Sequence, residues 1–490
     1  VTFTGTDSDN TITSGNDSFY NLTQNGSGGT YTMQDALTAS NNLTITAGTL
    51  DVKSGSNYGV VVGGTWSRSG TFTPRSGTLT LTGTSTFSDT MSFYAININS
   101  SGTVTLGAAL TTTNNLSITT GTLADAGFAI TVGGNWSNAG SYTGTGTVTF
   151  NAASGTQTLT SGGTATTQDF QNITKSGGGT LQFATNAVDI DGTLTIDAST
   201  TVDINALNIT AATLVNNGTL LADGSETITI TTKDTDSGLV KYDGSGSYTT
   251  ALAYGNTYYN LEFAGSGVWE PSAAVTANNN LTITSGTFDI DGQGLTVTGT
   301  FSNDGTLRLL GTETLSFTSD TNSGTISYDN SSALADFPSP LNDTYYSVAF
   351  TGSGAVTLAA NLTAGGNATI GTGATLVLND FDLNVAGNLV NTGTLTQDAD
   401  SDINLNGTTQ TLNPSNMTLG AAVNLTGSSG TTSVGSNFTI SNILTIAAGR
   451  TLSLVSYIIT LGSNLLTNLG VISEGSGYIA GTSSSLYIAD

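Results

Sequence analysis

Trp66-Ser67-Arg68-Ser69-Gly70-Thr71-Phe72 returns as Trp136-Ser137-Asn138-Ala139-Gly140-Ser141-Tyr142, and again as Phe301-Ser302-Asn303-Asp304-Gly305-Thr306-Leu307. Looser copies are Leu214-Val215-Asn216-Asn217-Gly218-Thr219-Leu220 and Leu389-Val390-Asn391-Thr392-Gly393-Thr394-Leu395, with a degraded one around Leu466 and Gly470. The marks at 66, 136, 214, 301, 389 and 466 lie 70, 78, 87, 88 and 77 residues apart. Recurrence of this kind is the sequence signature of a repeat architecture, in which each unit buries its apolar face against the next.

Two further landmarks keep step. An aromatic pair opens the units at Phe19-Tyr20, Phe93-Tyr94, Tyr258-Tyr259 and Tyr345-Tyr346, with Phe170 as a reduced copy. An Asn-Leu-Thr-Ile type of segment follows at 42–45, 115–118 and 280–283, with looser copies at 192–196, 367–370 and 443–446. Six degenerate units result, 1–77, 78–146, 147–226, 227–313, 314–400 and 401–490, read as one continuous array over 1–490.

Within a unit the period is two. Thr78-Leu79-Thr80-Leu81-Thr82, Thr147-Val148-Thr149-Phe150 and Leu194-Thr195-Ile196-Asp197 alternate apolar and polar residues, which sends one set of side chains inward and the Thr set outward. Short strands of four to six residues end at Ser-Gly, Asn-Gly, Asp-Gly or Gly-Gly, and no ten-residue segment has helical periodicity. Apolar strand marks recur about every 20 residues, as at Leu22, Leu43, Val62 and Leu79. The expectation is an all-β parallel β-helix, a β-solenoid whose coils stack Leu on Leu and Thr on Thr. At ~4.8 Å per coil, roughly 20 to 24 coils would make a rod of about 100 Å. A string of six immunoglobulin-like sandwiches is the alternative. The very short strands and variable unit length disfavour it, because a solenoid turn can bulge without disturbing its stacked neighbours.

Composition is nearly uniform along the 490 residues and dominated by Gly, Ser, Thr and Asn. Eight Lys and Arg face 34 Asp and Glu, a formal charge of −26. Such a surface repels phosphate backbones and anionic lipid heads, which disfavours nucleic acid and direct membrane binding. No run of 18 apolar residues occurs, so no helical membrane insertion is expected. Cys and His are absent, which removes disulfides, thiolate metal sites and imidazole chemistry. The sequence opens on Val1, read as a chain whose leader has been removed or as part of a longer chain.

The phrases Asn41-Asn42-Leu43-Thr44-Ile45-Thr46-Ala47-Gly48-Thr49-Leu50-Asp51 and Val132-Gly133-Gly134-Asn135-Trp136-Ser137-Asn138-Ala139-Gly140-Ser141-Tyr142 resemble bacterial β-strand-repeat surface proteins. That group includes filamentous-haemagglutinin-like and autotransporter-passenger-like β-solenoids. The resemblance is one of repeat style across all six units. It implies a right-handed parallel β-helix displayed outside a bacterium; no autotransporter barrel or secretion domain accompanies it.

β-Helices also carry polysaccharide lyases and hydrolases, whose sites gather carboxylates with a base on one face. The bases here, Lys53, Lys175, Lys233, Lys241, Arg68, Arg75, Arg308 and Arg450, lie scattered among the units and read as solvated turn charges. No catalytic residue is assigned and no enzyme is expected. Weak calcium candidates are the pairs Asp189/Asp191, Asp289/Asp291 and Asp234/Asp236, with Asp398, Asp400 and Asp402 beside them. Alternation places both members of a pair on one strand face, as paired oxygen ligands require. The same spacing belongs to any outward positions, so the expectation is no cofactor, with calcium as the alternative. Asn-x-Ser/Thr triplets at Asn21, Asn42, Asn115, Asn135, Asn172, Asn208, Asn280, Asn361 and Asn424 are explained by inward Asn ladders between coils. In each aromatic pair one ring faces the core and one faces out, and the outward members are the glycan-stacking alternative.

The leading expectation is an extracellular structural subunit of a bacterial fibre, sheath or filament. Its partners are copies of itself, joined through open β edges. An adhesin rod binding glycans or cell-surface components is the second reading, and a carbohydrate-active β-helix enzyme the third. Strand-like Val1-Thr2-Phe3-Thr4 and Ser485-Leu486-Tyr487-Ile488 are the edges expected to pair between copies.

Overall fold

The computed structural model describes residues 1–337, 341, 343–397, 400–462 and 466–481. Its contacts divide the chain into two compact units, Val1–Tyr242 and Asp243–Asp490. Both are all-β, and no helix occurs among the described residues. Within each unit, strands pair in parallel with strands about 20 residues onward, the defining geometry of a β-solenoid.

The alternation seen in the sequence becomes stacked columns. In the first unit Leu110, Ile130, Val148, Ile173, Leu194 and Leu214 are successive partners and all are buried. One residue along, Thr111, Thr131, Thr149, Thr174 and Thr195 form the outward column. In the second unit the inward column Trp269, Phe288, Leu307, Ile326, Val348, Ala368, Leu389, Leu412 and Val434 runs unbroken. Each fully buried aliphatic in such a column contributes about 1.5–3 kcal/mol relative to exposure.

Rings close the wider parts of the core. Trp136, Tyr142 and Phe170 meet at 5.1, 5.4 and 5.3 Å between centroids. The aromatic pairs split as alternation requires. Phe93, Tyr258 and Tyr345 are buried, whereas Tyr20 is 72% and Tyr346 39% exposed.

Three expectations change. First, strands are not all short: Leu22–Met33 and Ala95–Leu106 each run 12 residues, because the chain stays paired while it bends at a corner. Glycine permits that corner. A Cβ on Gly26 would lie 1.9 Å from the Gly5 carbonyl oxygen, and one on Gly48, at φ +72°, 2.1 Å from that of Gly26.

Second, the Asn ladders stand at corners rather than inside. Asn21, Asn42, Asn115 and Asn135 are exposed or half-buried, and each Oδ1 accepts the backbone N–H one coil onward, from Asn42, Thr65, Asn135 and Thr158. The amide supplies an acceptor where the coil turns and its ladder would otherwise break. Amide-to-amide bonds do occur on a half-buried face, from Asn404 to Asn384 at 3.0 Å and from Asn424 to Asn404 at 3.1 Å.

Third, Lys175 and Arg450 are not solvated turn charges: both are fully buried. Thr2 and Phe3 pair with Thr23 and Gln24, while Ser485–Ile488 lie outside the described residues.

Candidate functional site

Lys175 sits in an inward column between Phe150 and Ile196. Burial pushes its ammonium pKa down, and Nζ donates to Gln157 Oε1 at 3.0 Å and to the Ala152 carbonyl at 3.3 Å. Arg450 occupies a comparable place. Its Nη1 donates to the carbonyls of Gly407 (2.5 Å) and Ser429 (2.7 Å), its Nη2 to Gln410 Oε1 (3.3 Å) and Thr432 Oγ1 (3.1 Å), and burial lowers its pKa as well. No carboxylate is among these partners. Backbone and amide oxygens carry both cations, so they act as pins through the interior.

The two glutamines belong to a motif that a search for aromatic landmarks passes over. Gly155-Thr156-Gln157-Thr158-Leu159, Gly224-Ser225-Glu226-Thr227-Ile228, Gly311-Thr312-Glu313-Thr314-Leu315 and Thr408-Thr409-Gln410-Thr411-Leu412 each carry a buried Gln or Glu, the glutamines inside the strands Thr156–Thr160 and Thr409–Asn413 and the glutamates in the turns before Ile228–Thr232 and Leu315–Ser316. Glu226 accepts the N–H groups of Asp223 (2.5 Å) and Gly224 (2.7 Å). Glu313 accepts those of Leu310, Gly311 (2.7 Å) and Gly292 (3.3 Å). Gln157 accepts one, from Ala152, and returns Nε2 to the Val132 and Gly134 carbonyls. A carboxylate thus stands where donors converge, and an amide where donors and acceptors mix.

The predicted aspartate pairs meet three different fates. Asp189 is a half-buried outward residue in register with Asp169, through the Phe170–Ile190 bridge, and Asp191 lies nearby. Burial, then the charges of Asp189 and Asp191, push Asp169 up to about 6, and its buried Oδ1 has no hydrogen-bond partner among the described residues. Asp189 itself is raised by burial and then by Asp191.

Asp289 and Asp291 do not share a strand face: the strand ends at Asp289, and Asp291 is in a turn at φ +40°. Asp289 Oδ2 pairs with Arg308 Nη1 at 3.0 Å. Glu270 joins them, raised by burial and by the charges of Asp291 and Asp289. The scattered bases therefore do not all stay scattered, since coiling brings Arg308 into a group of carboxylates. A cation beside carboxylates is the raw material of acid–base chemistry. None of the grooves described below is lined by these residues.

Asp234 and Asp236 also fail to share a strand face, because they lie in a loop. Asp234 accepts N–H from Asn216 (2.7 Å), Asp236 (3.1 Å) and Ser237 (3.1 Å), and O–H from Ser237 (3.0 Å). Asp-Thr-Asp-Ser-Gly at 234–238 returns as Asp-Thr-Asn-Ser-Gly at 320–324, where Asp320 accepts from Asn303 N (2.8 Å), Asn322 N (3.0 Å) and Ser323 Oγ (3.3 Å). These acids organise loops. Asp398 lies outside the described residues, while Asp402 is raised by burial and by Asp382. Among the described residues no group of three or more Asp, Glu, His or Cys is placed to hold a metal ion.

Two grooves occupy related positions, each inside one unit. One, of about 330 Å³, is lined by Trp66, Ser67, Arg68, Ser88, Asp89 and Thr90. Arg68 grips Asp89 with Nε and Nη2 at 2.8 Å each, and Trp66 Nε1 donates to the same carboxylate at 2.8 Å. Burial opposes ionisation of Asp89, yet these bonds hold its pKa below the usual value. The other groove, of about 460 Å³, runs between Gly299–Ser302 and Thr318–Asn322. Both sit at the aromatic-Ser motif that marks the repeat.

No family model matches the chain, and neither a curated protein nor a solved structure shows significant similarity to it.

Proposed function

We propose that the protein is a structural β-solenoid of a bacterial surface, a subunit of a fibre, sheath or filament. The observation that carries this reading is the unbroken inward column from Trp269 to Val434, a scaffold in which each coil is bonded to the next. Such stacks resist unfolding because stability is the sum of coil and neighbour terms along the axis. The polar chemistry mostly supports the scaffold: Asn and Asp side chains cap corners and loops, and Lys175 and Arg450 pin the interior. The strongly acidic surface suits a solvated extracellular rod rather than a nucleic-acid or lipid binder. Self-association belongs to the same proposal, since any uncovered edge of a parallel stack can pair with another copy.

Electron microscopy of the purified chain tests it. Filaments longer than a single chain, growing with concentration, support the fibre; dispersed particles at every concentration reject self-association. An adhesin is the second reading, favoured by the outward Tyr20 and by the grooves. Binding on a glycan array that is lost in Tyr20→Ala would select it.

A further inference from the structure

The larger groove coincides with a missing rung. Strand Phe301–Asn303 pairs with Leu281–Ile283 on one side and, among the described residues, with no strand on the other. The coil that should cover it leaves the stack: after Leu315–Ser316 the chain swings out through Thr318–Asn322 and rejoins at Thr325–Tyr328. In a parallel pair the N–H and C=O of alternate residues face alternate edges. The Leu281 N–H takes the Thr300 carbonyl and the Asp304 N–H goes to Ile283, so Phe301 and Asn303 present their backbone to the open side. The Asn303 N–H is capped by Asp320 at 2.8 Å. The Phe301 N–H and C=O have no such cap. Around them stand the hydroxyls of Thr300, Ser302, Thr318, Ser319 and Thr321, which line the groove. The equivalent motif strands Trp136–Asn138 and Leu389–Asn391 are closed by the next coil. Trp66–Arg68 and Leu214–Asn216, like Phe301–Asn303, pair on one side only among the described residues, and of these open edges the one at Phe301 lines the larger groove.

We propose that this groove binds an extended, basic peptide strand of another protein by β-addition, with the peptide supplying the missing rung beside Phe301. An extended backbone is the group that pairs with a strand edge at ~4.8 Å, and side chains on alternate residues then read the walls. The Phe317 ring already covers Phe301, with centroids 4.7 Å apart, so the peptide residue facing inward must be small. Asp320 is the sole charged residue lining the groove, and the chain carries −26 overall. Both features favour a cationic partner over a second acidic copy. This site is independent of self-association through terminal rungs, so either can fail alone.

The test uses the full chain and a fluorescent acetylated peptide, Ser-Lys-Gly-Ser-Lys-Thr, at low salt. Saturable binding is expected, with protection of the Phe301 amide from hydrogen exchange. The same peptide N-methylated at alternate amides keeps its charge but loses its ladder donors, and is expected not to bind. Thr321→Arg, at an exposed loop position, leaves the Asp320 hydrogen bonds intact and is expected to weaken binding about three- to fivefold. Absence of saturable binding, equal binding of the N-methylated peptide, equal binding of a Glu-substituted peptide, or an unchanged Phe301 amide would each overturn the proposal.

Discussion

Glu313 offers a sharp test of how the turns are held. The side chain is 4% exposed and gathers the N–H groups of Leu310, Gly311 and Gly292. In Glu313→Ala all three donors lose their acceptor. An orphaned buried donor costs about 1–3 kcal/mol; water can enter a turn, so about 1 kcal/mol each is appropriate, or ~3 kcal/mol in all. Glu313→Gln keeps an oxygen for the two donors at Oε1 but turns an NH2 group toward Gly311 N–H, for a loss of about 1.5 kcal/mol. The readout is hydrogen exchange at residues 292, 310 and 311, since repeat arrays open locally. Exchange there is expected to rise about a hundredfold in Glu313→Ala and about tenfold in Glu313→Gln, at tenfold per 1.4 kcal/mol. A change below threefold in the alanine variant, or a glutamine variant worse than alanine, would show that Glu313 does not hold this turn.

Three further predictions concern charge and metal. Asp169 is raised from 3.8 to about 6, so the native state binds more protons than the unfolded chain between those values, and stability falls as pH rises through that window. Asp169→Asn is therefore expected to stabilise at pH 7 by roughly 1 kcal/mol, a value discounted for solvent screening, and to make no difference at pH 3, as urea melts at both pH values would show. Asp89 has the opposite sign: its lowered pKa contributes stability above 3.8 that disappears as pH falls through its native value, and Asp89→Ala should cost about 3 kcal/mol at pH 7 by stranding Arg68 and Trp66 Nε1. EDTA should leave the melting temperature of the purified chain within a few degrees, because the Asp234 oxygens are occupied by N–H and O–H donors; a drop of tens of degrees would make the aspartates true ligands.

The stacking was legible because it is written at period two: Thr78-Leu79-Thr80-Leu81 needs only its own pleat to declare an inner and an outer face. Whole inward columns follow once such segments recur. Lys175 was misread because local polarity marks it for solvent, while its place between Phe150 and Ile196 is set by strands 20 and more residues away. Asp189 and Asp191 do lie in one strand, but alternation does not place the other two pairs, because it holds only inside a strand and Asp234, Asp236 and Asp291 stand in turns where side-chain direction follows the local φ and ψ. The Gly-Thr-Gln-Thr-Leu and Asp-Thr-Asn-Ser-Gly motifs were readable as repeats, had polar turn residues been aligned as well as rings. The open edge at Phe301 is signalled only by the Asp-Thr-Asn-Ser-Gly loop that follows it, as Asp-Thr-Asp-Ser-Gly follows the one-sided Leu214–Asn216. It depends on where the following coil goes.

The surface role is tested most directly by immunogold labelling of the source cells with antibodies against the purified chain. Dense label is expected on intact, unpermeabilised cells, following fibres or a sheath. Label that appears only after permeabilisation would contradict a surface role.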